Sequence, residues 1–150
     1  MKDITAFILL CTLANMAHAW TDHCKVYHVH IENIGTSDCV LKKQYILYGK
    51  LAPASKIPNV IFRGKHAQFE MTGSQPETYL AAACLLNYEC GDDKKITFFT
   101  TTSTDAPAWG HFDETRSSII ESKNIVANFE STRCNNFNST ANEITWTLNP

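Results

Sequence analysis

Residues 31–51 read IENIGTSDCVLKKQYILYGKL. Tyr27, Val29 and Ile31 lead into this block at every second position, the period of a half-buried strand. Asn33, Gly35 and Asp38 then break the pattern. Glycine tolerates positive φ, and Asn and Asp side chains bond their own backbone, so the chain should turn here between two strands. Cys39–Leu47 reads as the second strand, and Gly49-Lys50-Leu51 as its exit. Working outward, strands are expected over Val26–Ile34, 59–62, 67–72, 96–102, 119–129 and 143–148, with a turn at Arg63-Gly64. Many short strands between Gly, Pro, Asn and Asp clusters argue for a sandwich or barrel. The chain is read as all-β and as one domain.

One segment pulls the other way. Ser74-Gln75-Pro76-Glu77 has the form of a helix capping box with Pro in the first turn. Tyr79, Ala82, Ala83 and Leu86 follow at helical spacing, and Gly91 suits a C-cap. Local rules therefore favour a helix over 75–89.

The N-terminus carries its own signal. Lys2 precedes a short apolar run, Ile4–Ala14, and Ala17-His18-Ala19 places small residues where a signal peptidase reads them. Residues 1–19 are expected to be a cleaved signal peptide, residues 20–150 the folded domain, and the protein secreted. Five cysteines then remain: Cys24, Cys39, Cys84, Cys90 and Cys134. In an oxidising compartment they should give two disulfides and one leftover, buried thiol. Cys24 with Cys134 is the expected first pair, because they flank an early and a late strand. Cys84 and Cys90 cannot bond each other if they share one extended strand.

The chain has 13 Lys and Arg against 15 Asp and Glu, a net charge of -2. Near-neutral charge without a basic run argues against nucleic acid as a partner, and against a purely electrostatic grip on anionic lipid.

The opening block resembles the start of the aegerolysins, through Ile31, Asn33, Gly35, Asp38, Lys42, Gly49, Lys50 and Leu51, with Tyr48 where that family usually has Trp. The resemblance extends over about residues 26–100. It implies an antiparallel β-sandwich, here supported by disulfides, that binds a membrane lipid headgroup of sphingolipid type, with a larger pore-forming protein as partner in membrane permeabilisation. It implies no cofactor. It also favours strands over Cys84–Cys90, and leaves Pro76–Ala83 open between a short helix and a strand. Tyr48, Lys95 and Glu77 match family headgroup positions, and Lys50, Tyr88 and Trp109 complete a candidate lipid-facing edge. Amphipathic rings suit the headgroup level of a bilayer, and Lys meets a phosphate there. The loop Gly91-Asp92-Asp93-Lys94-Lys95 departs from the family, which carries Pro and Trp in this place.

Other chemistries rest on less. His28 and His30 alternate and so share one strand face, a start for a zinc or copper site that would need a third ligand. Ser74 lacks the second Gly of a nucleophile elbow, and the neighbours Asp113 and Glu114 would face opposite sides of a strand. A non-enzyme is expected. The alternatives are a secreted module for a protein or glycan ligand, and a metal-dependent secreted enzyme. Asn138-Ser139-Thr140 is a glycosylation sequon.

Overall fold

The computed structural model describes residues 26–73, 81–103, 117–132 and 142–150. Among them every regular element is a strand. β1 is Val26–Asn33, β2 Cys39–Tyr48, β3 Lys50–Leu51, β4 Val60–Ile61 and β5 Lys65–Thr72. β6 is Ala81–Cys90, β7 Lys95–Ser103, β8 Ser118–Lys123, β9 Val126–Thr132 and β10 Asn142–Asn149. They form two five-stranded sheets, β3-β5-β1-β10-β9 and β4-β2-β6-β7-β8.

The sandwich is therefore confirmed, with one correction. The expected all-antiparallel pairing fails at the centre of the first sheet, where β1 runs parallel to β10, Val29 opposite Ile144 and Ile31 opposite Trp146. First and last strands meet across most of the chain, so no short-range pattern reveals their direction.

Alternation supplies the core. Tyr27, Val29 and Ile31 of β1, Phe69 and Met71 of β5, and Ile144, Trp146 and Leu148 of β10 point inward. They meet Cys84, Leu86 and Tyr88 of β6 and Ile96 and Phe98 of β7. Burying each large apolar side chain contributes about 1.5–3 kcal/mol. Trp146 is gripped between Phe98 and Phe129, with ring centroids 4.4 and 4.7 Å away. Several polar groups of this interior are paired: the Tyr27 hydroxyl bonds Thr100 and the Thr101 carbonyl, and Thr102 donates to Asn142. The buried Trp146 Nε1 has no hydrogen-bond partner among the described residues.

β6 overrides the helical signals after Ala81. It lies between β2 and β7 in the middle of its sheet, and its neighbours satisfy its backbone on both sides. Ala82, Cys84 and Leu86 face inward and are buried between the sheets, and Ala83 is buried on the opposite face, which repays strand geometry more than local propensity favours helix. The rest of the helix-or-strand question, residues 74–80, lies outside the described residues.

The expected strand 119–129 is also corrected. It splits into β8 and β9, which belong to different sheets. Asn124 takes a positive φ of 56°, and Ser122 Oγ donates to the Ile125 carbonyl, closing the turn.

The opening turn is held as the sequence suggests. Asn33 is buried, and its Nδ2 donates to the Ser37 and Ile61 carbonyls, while Gly35 N donates to its Oδ1. Asp38 accepts from Arg63 N. Cys39 and Cys90 face each other in register and form a disulfide. Cys84, on the same strand as Cys90, is a buried free thiol. Cys24, Cys134 and the sequon lie outside the described residues, as do residues 1–19.

Candidate functional site

The end of β2 is the most unusual surface of the described chain. Tyr45, Ile46, Leu47 and Tyr48 are 55%, 42%, 51% and 58% exposed, four large apolar side chains in succession. Two features produce this. β4 pairs only with Cys39 and Val40, so beyond them β2 has β6 as its one paired strand. A bulge between Ile46 and Tyr48 then inserts Leu47 and re-aims the last residues. Even Ile46, in register with buried Cys84, stays substantially exposed, so the described strands leave this corner of the sandwich open.

Gly49, with φ 74°, then swings the chain out of this sheet. β3 joins the other sheet by pairing Lys50 with Thr72 and Leu51 with Met71. Tyr48 and the exposed Lys50 thus flank one tight turn, with an amphipathic ring on one side and an ammonium on the other.

The remaining candidates divide between two ends of the molecule. Tyr48 is in register with Ala83, and Lys95 with Glu89. The interval from Ala83 to Glu89 spans roughly 20 Å along β6 at about 3.3 Å per residue. One headgroup cannot touch both Tyr48 and Lys95. Lys95 instead lies 3.8 Å from Glu89, whose other oxygen is 3.2 Å from Lys42 Nζ. Tyr88 is a further correction. It is fully buried, it stacks on Phe98, and its hydroxyl donates to the Pro58 carbonyl, so it is core and not lipid-facing edge. Glu77 and Trp109 lie outside the described residues. The strand ends that flank their segments, Thr72, Ala81, Ser103 and Ser118, lie at the Tyr48 end of the sheets.

The acidic loop also acquires a reason. Asp93 forms an ion pair with Lys123, and Asn124 Nδ2 donates to its carbonyl, so the β6–β7 turn is pinned to the β8–β9 turn. The histidines are similarly occupied. His28 Nδ1 is 3.3 Å from Glu70, and His30 Nε2 is 3.9 Å from Glu143. Among the described residues no group of three His, Cys, Asp or Glu side chains is placed to hold a metal ion.

Sequence reasoning missed Tyr45, Ile46 and Leu47. Their signal was a loss of alternation: four bulky apolar residues in a row cannot all point inward from one strand.

No protein-family model matches the sequence, and no curated protein matches it. The fold does have a solved counterpart. The chain is similar to the crystal structure of the lipid binding protein Nakanori, with a TM-score of 0.56 over 91% of this chain and 77% of that one, at 11% sequence identity. At that identity the likeness is one of fold.

Proposed function

We propose that this is a secreted lipid-binding protein that sets its open corner, Tyr45–Tyr48 with Lys50, against a membrane and recognises a sphingolipid headgroup there. The observation that carries the reading is the unbroken exposed run Tyr45–Tyr48 beside Lys50. Four large side chains, each about half exposed, leave roughly 400 Å² of apolar surface. That is within the size of the largest patch on an ordinary monomer, which is often functional. Covering it is worth roughly 10 kcal/mol before the cost of association. The aegerolysin resemblance of residues 31–51 and a fold shared with a lipid binding protein support the same reading. Permeabilisation with a larger pore-forming partner is part of the proposal, through that resemblance.

Vesicle sedimentation tests it. Vesicles containing sphingomyelin or ceramide phosphoethanolamine, with sterol, should retain the protein, and phosphatidylcholine vesicles should not. Tyr48→Ala should weaken retention by about 1–3 kcal/mol, as truncation of an anchoring ring does. Indifference of the folded protein to every sphingolipid and phospholipid would reject the proposal.

A further inference from the structure

A groove of about 430 Å³ crosses the outer face of the first sheet, lined by Glu32 of β1, Thr145 and Thr147 of β10, and Asn128, Phe129 and Glu130 of β9. Register explains its shape. Glu32, Thr147 and Asn128 lie side by side in one cross-strand row, and His30, Thr145 and Glu130 in the next. The short threonines of β10 form a floor, and longer side chains on both neighbouring strands form the walls. We propose that this groove is a second binding site, for a neutral carbohydrate.

Charge and spacing lead to that ligand class. The outward residues of β1, β10 and β9 include no Lys or Arg, so nothing on these strands attracts a phosphate or a carboxylated sugar. The other two carboxylates of the face are occupied: Glu70 lies beside His28, and Glu143 beside His30 and Thr132. Among the described residues Glu32 and Glu130 have no ion-pair partner. They stand two strands apart and two residues out of step, so their Cα atoms are roughly 12 Å from each other. That span is too wide for both to clasp one metal ion or one ammonium group. It suits a ligand one or two sugar rings long, whose hydroxyls donate to both carboxylates. The Thr hydroxyls and the Asn128 amide both donate and accept, as sugar hydroxyls do. The volume falls within the range of small-molecule sites. The groove is also built on paired strands, which hold these groups in fixed positions.

The test is a ¹⁵N NMR titration of the full chain with soluble neutral disaccharides at millimolar concentrations: lactose, cellobiose, mannobiose and diacetylchitobiose. A Lys/Arg-rich peptide and a sialylated trisaccharide form parallel arms. The inference expects at least one neutral disaccharide to shift the amides of Glu32, Asn128, Glu130, Thr145 and Thr147. Glu130→Gln and Thr147→Val, both outward substitutions, should each weaken that binding about tenfold, the effect of losing one good hydrogen bond. Tyr48→Ala should leave it unchanged, which separates this groove from the membrane corner. Vesicles carrying a neutral glycolipid, compared with the free sugar, then show whether the glycan is membrane-borne. Silence toward every neutral sugar, binding that survives both groove substitutions, or preference for the basic peptide would each overturn the inference.

Discussion

Asn33 shows how one side chain can fix a corner of the fold. It is buried at the end of β1 and makes three hydrogen bonds, two donated to the Ser37 and Ile61 carbonyls and one accepted from Gly35 N. Asn33→Ala would leave those backbone groups unpaired in a buried setting and should cost about 2–4 kcal/mol, read as a shift in urea midpoint. Asn33→Asp keeps the acceptor but sets a buried carboxylate against the Ser37 and Ile61 carbonyl oxygens, so at neutral pH it should cost at least as much as Asn33→Ala. Cys84 makes a second argument at this scale. Burial pushes its thiol from an ordinary 9.0 up to about 12. The charged thiolate is the form that burial disfavours, so between those values the unfolded chain releases the proton first. Stability is then whole below pH 9.0 and falls as pH rises toward about 12, by up to about 1.4 kcal/mol per unit from this group. Burial raises Tyr27 and Tyr88 too, which steepens the loss at the alkaline end. Urea melts at pH 8 and pH 10.5 should show the decline, and Cys84→Ala should make it shallower. A thiol reagent at pH 8 should label Cys84 only as the protein unfolds.

Elements were legible where their signal was local and obscure where it was not. β1, β2 and the turn between them follow from alternation and from Asn33, Gly35 and Asp38, all within one short stretch. Gly35 has a further reason to be glycine: an added Cβ would come within 2.5 Å of Pro150 Cδ. Gly35→Ala should therefore cost about 1–3 kcal/mol, and removing Pro150 from that variant should restore most of the loss, measured by thermal melting. The β8–β9 break was hidden because Asn124 sits inside an otherwise strand-like run. The parallel β1–β10 pair was hidden because it joins the two ends of the chain. β6 was ambiguous because Ala82, Ala83 and Leu86 satisfy helical spacing as well as strand packing. Its pairing with β2 is locked by the Cys39–Cys90 disulfide, across a sequence separation of 51. In the chain-entropy account, closing a loop of that length stabilises by about 4 kcal/mol. Cys39→Ala with Cys90→Ala, which removes this bond alone, should lower the urea midpoint accordingly.

At the scale of the whole molecule, the candidate edge read from sequence separates into distinct places. Tyr48 and Lys50 could be grouped from sequence because a single glycine lies between them. Lys95 could not be excluded that way, since its position relative to Tyr48 depends on the β2–β6–β7 register. Tyr88 followed strand alternation inward, a fact that its neighbours Asn87 and Glu89, both half-buried, already hinted at. The consequence is testable by comparing the two ends. Lys50 stands beside the exposed apolar run, where an ammonium would meet lipid phosphates at the membrane surface. Lys95 is held with Lys42 around Glu89, roughly 20 Å along β6 from Tyr48 by strand geometry. Lys50→Ala should therefore weaken binding to sphingolipid vesicles modestly and flatten its dependence on salt, because an exposed charge acts through screened attraction. Lys95→Ala should leave both affinity and salt dependence unchanged. Leu47→Ser, which removes an apolar side chain from the bulge, should weaken binding without altering the salt response. Sedimentation of the three variants at low and high salt measures all of this at once. If Lys95→Ala impairs binding as much as Lys50→Ala does, the lipid contacts the far end of the sandwich and the open corner is not the docking surface.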